Sequence, residues 1–334
     1  MTEIAPLPLV LSMGDPAGVG PIITAKAWDM LKDNASLAFY VIGAPDLYRD
    51  LCPVQVIFEP SEALAHFGTA LPVLPVGTMP AISAGTPDAA AAPAIIAAIE
   101  TGVRHVQSGL AAGLVTNPIN KALLYGAGFR HPGHTEFIAE LCRPVSGDAP
   151  RPVMMLTGGG LRVALATIHI PLANVSGSLS QESLIELGTI VHHALKTDFG
   201  ISAPRIAFTG LNPHAGESGT IGREEVDIIN PAAETLRSRG ISISDARPGD
   251  TVFAEALSGA FDAVIAMTHD QGLIPVKTLD FWGGVNMTLG LPIVRTSPDH
   301  GTGYDAAAAG TARPDSLIAA IRAAAMVAHN RQTV

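Results

Sequence analysis

Short apolar runs alternate along the chain with longer segments of helical periodicity. The apolar runs are rich in Val, Ile and Leu, which predicts buried strands. They read LPLVLSM, LAFYVIGA, VQVIF, AGLVTN, RVALATIHI, RIAFTGLN, AVIAMTH and PIVRTS. Helices are predicted for PIITAKAWDMLK, AAAAPAIIAAIETGVRHVQ, HTEFIAELC, QESLIELGTIVHHALK, REEVDIINPAAETLRSRG and PDSLIAAIRAAAMVAHN. Nearly continuous apolar strands separated by helices indicate a mostly parallel α/β sheet with both faces covered.

One segment departs from this alternation. In MMLTGGGLRVALATI, two apolar runs are joined by three glycines, which predicts an antiparallel hairpin. With 334 residues, 48% of them hydrophobic, the chain can build one large domain or two lobes. No repeat and no low-complexity linker marks a boundary between lobes.

Charge and cysteine content narrow the class of protein. A formal net charge of −10 without any basic run argues against a nucleic-acid partner. The longest apolar runs are too short, or too rich in Gly and Ala, to predict a membrane span. Two cysteines, Cys52 and Cys142, predict no disulfide framework. Because MTEIAPLPLV also lacks a cationic leader, we expect no signal peptide and a location in the reducing cytoplasm.

Polar segments follow six of the predicted strands. They are GDPAGVGP, TNPINK, the turn at His169, LNPHAGESG, THDQG and PDHGTGYD. In open α/β sheets, ligands bind beyond the carboxyl ends of the strands. The recurrence therefore predicts a ligand site at this edge. GDPAGVGP is not the dinucleotide fingerprint, because its glycines do not follow the G-x-G-x-x-G spacing.

Three of these strand ends carry a histidine, namely His169, His214 and His269. Neutral imidazoles brought together from different strands suit zinc or another divalent ion, with positions left open for substrate oxygens. Alternatively, each is an ordinary loop or core histidine whose ring is bonded to a backbone carbonyl. Ligands so far apart in sequence show no diagnostic spacing, so both interpretations stay open on the pattern alone.

Two cations and one helix start are candidates for binding an anion. Lys277 and Arg295 lie among apolar neighbours rather than in a charged stretch, which suits phosphate binding. Near a metal, Lys277 could instead accept a proton. A turn at Pro132-Gly133 is predicted to precede a helix that opens at His134-Thr135. Either residue could cap this helix, or its N-terminus could bind a carboxylate or phosphate.

Five longer segments together carry a resemblance to a known family. They are SMGDPAGVGP, TNPINKALLYGAGFRHPGHTEFIAEL, NPHAGESGTIGREE, AMTHDQGLIPVKTL and GVNMTLGLPIVRTSPDHGT. In this order they resemble the 4-hydroxythreonine-4-phosphate dehydrogenase family of vitamin B6 biosynthesis, nearly end to end. The resemblance implies a two-lobed α/β/α fold like that of isocitrate and isopropylmalate dehydrogenases, with a mostly parallel sheet and no Rossmann domain. We accordingly expect one lobe from residues 1–128 plus 292–334 on the cofactor side. Residues 129–291 would form the lobe that carries the metal, the substrate site and the dimer contact.

The resemblance also implies roles for individual residues. Three imidazoles would hold one divalent ion, Zn²⁺, Mg²⁺ or Co²⁺, and they fall on His169, His214 and His269. Substrate contacts fall on His134, Thr135, Lys277, Asn286 and Arg295. Lys277 is also expected to act in catalysis, and Asp270 to orient the ion or a neighbouring group. Residues that bind the cofactor are not identified.

A homodimer with shared active sites is implied as well, in which His269 reaches the metal from the partner subunit. Phe281 and Trp282 beside a glycine pair are apolar bulk that suits a two-fold interface. They could equally pack within their own subunit.

The implied reaction is metal-dependent oxidation of 4-phosphooxy-L-threonine at C3 by NAD or NADP. Decarboxylation then gives 3-amino-2-oxopropyl phosphate, a step in pyridoxal 5′-phosphate biosynthesis. The first alternative is a dehydrogenase of a related phosphorylated hydroxy acid, 4-phospho-threonate or 4-phospho-erythronate. A metal-dependent phosphate-ester hydrolase and a non-catalytic binding protein are further alternatives. The chain departs from the family pattern at Ile22, where an acidic residue is usual, and at Gly303-Tyr304.

Overall fold

The computed structural model describes residues 7–126, 128–131 and 133–333. The chain divides into two compact units. Unit 1 comprises Met1–Pro152 and Leu291–His329, and unit 2 comprises Val153–Gly290 and Asn330–Val334. The division expected from the sequence placed residues 129–152 in the other lobe. In the structure the helix within this segment packs on a helix of unit 1, which brings these residues into unit 1.

Twelve strands and twelve α-helices are assigned among the described residues. The strands are β1 Leu9–Ser12, β2 Phe39–Gly43, β3 Val54–Val56, β4 Leu71–Pro75, β5 Leu114–Thr116, β6 Val153–Gly158, β7 Leu161–Leu165, β8 Arg205–Thr209, β9 Ser242–Arg247, β10 Ala263–Ala266, β11 Val285–Leu289 and β12 Arg295–Pro298. The helices are α1 Gly20–Leu31, α2 Ala63–His66, α3 Ala92–Gln107, α4 Lys121–Gly126, α5 His134–Leu141, α6 Val175–Ser178, α7 Gln181–Thr197, α8 Asn230–Ser238, α9 Val252–Leu257, α10 His269–Leu279, α11 Tyr304–Ala308 and α12 Asp315–Thr333. None of the helices in the described part of the chain has the length and apolar character needed to cross a bilayer.

The strands of unit 1 are parallel throughout. Their order is β3-β4-β2-β1-β5-β12. All residues of β1, β2, β5 and β12 are buried, as expected for strands with packed layers on both sides. The predicted mostly parallel α/β class is confirmed. The carboxyl ends of β1 and β5 therefore lie at the same edge, where GDPAGVGP and TNPINK follow them.

Unit 2 contains one strand that runs against the others. The order is β11-β6-β7-β10-β8-β9, and β6 is antiparallel to both β11 and β7. The predicted hairpin is β6–β7, and the prediction is confirmed. Gly159 and Gly160 form its two-residue turn with φ of +57° and +89°, the left-handed backbone that such turns require.

The segment after β10 is a helix rather than the polar loop that its sequence suggested. Thr268 caps α10, because its hydroxyl accepts a hydrogen bond from Gln271 N at 3.3 Å. Pro275 lies inside the helix and weakens the helical pattern of the sequence. Val276 packs into an apolar core with Leu156 and Val163, which anchors α10 on the sheet.

We predict that Gly159→Ala destabilises the protein more than Gly240→Ala. Both glycines have positive φ, so both substitutions carry the left-handed cost of about 1 kcal/mol. A Cβ at Gly159 would also lie 2.5 Å from Leu279 Cβ at the end of α10, whereas nothing lies within 4 Å at Gly240. This overpacking adds about 1–3 kcal/mol. Urea denaturation measures the free energy of unfolding of each variant. Equal losses of this free energy would show that a side chain at position 159 does not overpack against α10.

Candidate active site

A buried guanidinium lies at the edge of unit 1. Arg295, the first residue of β12, is only 4% exposed, and its Nη2 donates to Thr116 Oγ1 at 2.8 Å. Thr116 ends β5, the neighbouring strand. Burial lowers the pKa of Arg295 to about 10, opposed by the carboxylate of Glu136. Arg295 therefore keeps its positive charge at neutral pH, in a place where water solvates it poorly.

A neutral imidazole lies close to this charge. His134 is the first residue of α5, and although the residue is only half-buried, its Nε2 is shielded from solvent. Nε2 has no hydrogen-bond partner among the described residues. Burial, and then the positive charges of Arg295 and Lys121, lower the pKa of His134 well below 6.5. A shielded ring nitrogen of this kind is suited to bond a ligand that replaces water.

The start of α5 brings further charged groups to the same place. A Cβ on Gly133 would lie 3.2 Å from Lys121 Nζ and 2.5 Å from Glu136 Oε2, so both side chains approach the backbone here. Gly133 itself is the N-cap residue, with no side-chain capping bond, so neither His134 nor Thr135 caps the helix. Of the turn predicted before α5, Pro132 lies outside the described residues. We call Thr116, Lys121, His134 and Arg295 the unit 1 cluster.

A second network joins three loops of unit 1. Asp15, which is 1% exposed, accepts through Oδ1 from Ala17 N at 3.0 Å. Its Oδ2 accepts from the hydroxyl of Tyr304 at 2.6 Å. That hydroxyl in turn accepts from Asn120 Nδ2 at 2.9 Å. Gly14, with φ of +71°, leaves no room for a Cβ beside Asn117, so close packing explains this glycine of GDPAGVGP.

Two of the three predicted metal ligands meet in unit 2. The rings of His169, after β7, and His269, at the start of α10, have centroids 5.4 Å apart. His269 Nδ1 lies 2.8 Å from Asp270 Oδ1. When Nδ1 donates to this carboxylate, the lone pair is on Nε2, which is the arrangement found for metal-bound imidazoles. Asp270 is thus placed to orient His269.

His214 lies on an unusual turn instead. His214, Ala215, Gly216, Glu217 and Ser218 all have left-handed backbones, with φ between +45° and +76°. Four of the five are not glycine, so this turn is strained. The described residues of one chain form no group of three or more His, Cys, Asp or Glu able to hold a metal, so His214 does not join the His169–His269 pair.

Hydrogen bonds to a buried carboxylate maintain this turn. Glu225 is 1% exposed, and its Oε1 accepts from Asn212 N at 2.8 Å. Asn212 Nδ2 donates to Glu225 Oε2 at 3.0 Å and to Glu224 Oε2 at 2.7 Å. Because Asn212 lies only two residues before His214, these bonds fix the backbone that leads into the turn.

The donor chemistry of unit 2 fits a divalent cation in part. Two imidazoles side by side are suitable ligands, but a protein metal site commonly takes three or four. One chain on its own provides the His169–His269 pair and leaves His214 apart.

Helix α10 separates Lys277 from the histidine pair. Eight residues of helix place Lys277 about 12 Å along the axis from His269, in the last turn of α10. Its Nζ lies 5.6 Å from the centre of the Phe281 ring. Asn286 lies on β11, opposite Leu156 of β6, and its Oδ1 is buried without a partner among the described residues.

The contributions of Thr116, Lys121 and Glu136 were missed from the sequence. The segment TNPINK is a predicted polar strand end, but its pattern distinguishes neither Thr116 nor Lys121 as a site residue. Position along the chain could not show that β5 and β12 are neighbours, which is what brings Thr116 to Arg295.

Together these features define a two-unit α/β protein whose strand ends carry a buried cationic cluster in one unit and an imidazole pair in the other. The chain belongs to the family of the pyridoxal phosphate biosynthetic protein PdxA, whose model matches residues 30–324. This confirms the resemblance inferred from the sequence.

Relatives match over almost the whole chain. A 4-hydroxythreonine-4-phosphate dehydrogenase of Caulobacter vibrioides is 53% identical over 328 residues, covering 97% of this chain and 98% of its own. The crystal structure of a 4-hydroxythreonine-4-phosphate dehydrogenase from Klebsiella pneumoniae is 33% identical, with a TM-score of 0.85 and coverage of 98% and 99%. A terephthalate 1,2-cis-dihydrodiol dehydrogenase from Burkholderia xenovorans is 28% identical, with a TM-score of 0.66 and coverage of 96% and 98%. At 28% identity, a protein with a similar fold is named for a different substrate. The fold alone therefore does not identify the substrate, and the site residues must supply that information.

We predict that His134 makes stability depend on pH below 6.5. Since its pKa in the folded protein lies below 6.5, the unfolded chain takes up this proton first as the pH falls. The contribution of His134 is therefore fully present above pH 6.5 and is lost below it, with a slope of at most about 1.4 kcal/mol per pH unit.

Urea denaturation at pH 7.5 and 5.5 tests this with His134→Gln. The variant should lose less stability on acidification than the wild type does. His193→Gln, which removes an exposed histidine of α7, is the control and should behave like the wild type. Equal pH dependence in all three proteins would contradict the assignment.

Proposed function

We propose that the protein catalyses the NAD(P)-dependent oxidation of 4-phosphooxy-L-threonine at C3, with decarboxylation to 3-amino-2-oxopropyl phosphate. The observation that carries this proposal is the unit 1 cluster, where a buried, charged Arg295 lies close to a neutral His134. Such a place favours an anionic group of a small substrate. Membership of a family of dehydrogenases that act on a phosphorylated hydroxy-amino acid supplies the substrate class.

Arg295, His134 and Thr135 are proposed to bind one anionic end of the substrate. Arg295 offers a planar donor fork that Thr116 holds in place, and such forks bind carboxylate or phosphate in two hydrogen bonds. His134 would donate or accept at Nε2 according to its tautomer, and Thr135 would add a hydroxyl. The low pKa of His134 keeps a further positive charge out of the cluster.

Lys277 and Asn286 are proposed to contact the part of the substrate around C3, and Asp270 to act through His269. Asn286 offers a buried amide oxygen, which suits a bond from a substrate amine or hydroxyl. Lys277 is proposed to meet the substrate and to accept the proton of the C3 hydroxyl. Asp270 would keep His269 in the tautomer that leaves Nε2 free of its proton.

His169, His214 and His269 would hold one divalent ion, Zn²⁺, Mg²⁺ or Co²⁺. A bound metal lowers the pKa of a coordinated alcohol, which eases loss of the C3 hydroxyl proton. NAD(P)⁺ supplies the hydride acceptor. Once the hydride has left C3 and the proton has left the C3 hydroxyl oxygen, the product is a β-keto acid. Its carboxylate leaves as CO₂, the electrons of the broken C1–C2 bond form an enolate, and C2 takes up a proton to give 3-amino-2-oxopropyl phosphate.

A second copy of the chain is proposed to complete the set of ligands. One chain brings together His169 and His269 but not His214. Phe281 and Trp282 are 63% and 51% exposed and form an edge-to-face pair 5.1 Å apart. Their own chain leaves more than half of each side chain uncovered, which supports a contact between copies of the chain.

We expect the purified protein with a divalent metal to reduce NAD⁺ or NADP⁺ when 4-phosphooxy-threonine is added, as followed by absorbance. Removing a charge-assisted hydrogen bond costs about 2 kcal/mol, so Arg295→Ala should lower kcat/KM roughly thirtyfold. Arg313→Ala is the control, because Arg313 is an exposed arginine of the same unit paired with Asp315. Faster turnover of 4-phospho-threonate would favour the related hydroxy acid as substrate, and phosphate release without reduction would favour a hydrolase.

Mixing inactive variants tests the shared site and identifies the residue that crosses between chains. If the partner contributes His269, mixing His169→Ala with His269→Ala restores up to half of the sites, and mixing His169→Ala with His214→Ala restores none. If the partner contributes His214, the two results are exchanged. Absence of recovery from both mixtures, in subunits shown to exchange, would mean that each chain builds its own site.

A further inference from the structure

We propose that the hydroxyl of Tyr304 is a positioning group for the unit 1 cluster, and that it acts on Lys121 through the side-chain amide of Asn120. The inference rests on the proposed function for its kinetic consequence alone. Tyr304 is the first residue of α11.

The phenol of Tyr304 has its donor and an acceptor position in use. It donates its proton to Asp15 Oδ2 at 2.6 Å and accepts from Asn120 Nδ2 at 2.9 Å. Asp15 is fixed from its other side, because Oδ1 accepts from Ala17 N at 3.0 Å. The direction of the phenol proton follows, since a carboxylate accepts and does not donate. The phenol oxygen of Tyr304 is therefore the acceptor of the hydrogen bond from Asn120 Nδ2.

The oxygen of the Asn120 amide bonds to the backbone at the start of α4. Asn120 Oδ1 accepts from Ala122 N at 3.0 Å and from Leu123 N at 3.4 Å. If the amide turned over, its NH₂ group would face these two N–H donors, which is repulsive. The bond from Nδ2 to Tyr304 selects the orientation that keeps the oxygen towards α4. Without the phenol oxygen, this selection weakens.

Lys121 is the first residue of α4, directly after Asn120. Its Nζ lies 3.2 Å from where a Cβ on Gly133 would be, next to the start of α5. A shift of the first turn of α4 would move this ammonium relative to His134. The charge of Lys121 is one of the causes that lower the pKa of His134, so the imidazole reports the position of the lysine.

Tyr304→Phe removes the hydroxyl and keeps the ring. Tyr40→Phe is a matched control in unit 1. It removes a tyrosine hydroxyl that bonds to His105 Nδ1 at 2.8 Å, and His105 lies on α3, away from α4 and α11 in the sequence. We expect Tyr304→Phe to raise KM for 4-phosphooxy-threonine about five- to tenfold, the size expected for one hydrogen bond. Its kcat should stay within about twofold of the wild type. The control should change neither constant by more than its error.

Titration of His134 by NMR supplies a readout that needs no turnover. In Tyr304→Phe the pKa of His134 should rise towards 6.5, because the positive charge of Lys121 is held less closely. Lys121→Met should cause the same direction of change. The double variant should change little beyond Lys121→Met alone, since both substitutions act through one lysine.

The outcomes separate the inference from the function on which it partly rests. If the wild-type protein does not oxidise 4-phosphooxy-threonine, the proposed function fails and the His134 titration still decides the role of Tyr304. If the wild type is active, and Tyr304→Phe lowers only the melting temperature while KM and the His134 titration stay unchanged, the positioning role is overturned. Additive effects of Tyr304→Phe and Lys121→Met would overturn the route through Lys121.

Discussion

The buried charge of Arg295 is the constraint on which the candidate site of unit 1 depends. A guanidinium that is 4% exposed has lost most of its hydration, and the neighbouring groups must compensate. Thr116 gives it an acceptor at 2.8 Å, and the carboxylate of Glu136 supports the charge from nearby. The same field keeps His134 neutral, since another positive charge beside Arg295 and Lys121 would be costly. The proposed anionic end of the substrate would relieve this excess of positive charge. An acidic protein would then bind an anion through a few locally placed cations.

In unit 2 the candidate residues are placed by the conformation of the backbone, whereas in unit 1 the charge of buried groups is the main constraint. The short connection from β10 into α10 places His269 beside His169 and next to Asp270. His214 lies on a strained backbone, which Asn212 maintains through two hydrogen bonds to Glu225 and one to Glu224. The candidate site residues of the two units should therefore respond differently to substitutions nearby. Substitutions near Arg295 act mainly through electrostatics, whereas those near His214 act through the conformation of the chain.

The sequence was informative wherever a local pattern carried the signal. Buried parallel strands and the glycine hairpin were predicted correctly, because apolar runs and paired glycines are local features. Strands β4, β9 and β11 were missed. In β9, which reads SISDAR, burial alternates irregularly and most residues are polar, so its apolar signal is weak. Helix α10 was missed because Pro275 interrupts its pattern, although Thr268 followed by Gln271 was an available start signal. Position along the chain also could not show that Lys121 approaches Gly133, since that proximity depends on the packing of α4 against the start of α5.

The left-handed turn at residues 214–218 limits how this protein can change. Glycine would suit the backbone at Glu217 or Ser218 better than the residues present, because it carries no penalty at positive φ. Such a replacement would relieve strain in the folded chain while allowing His214 many more backbone directions. Selection for thermal stability alone would therefore favour substitutions that leave the orientation of the His214 side chain less well defined. With His214 in its proposed role as a metal ligand, variants of this turn selected for heat resistance alone would bind the metal less well, which sets stability against activity in these five residues.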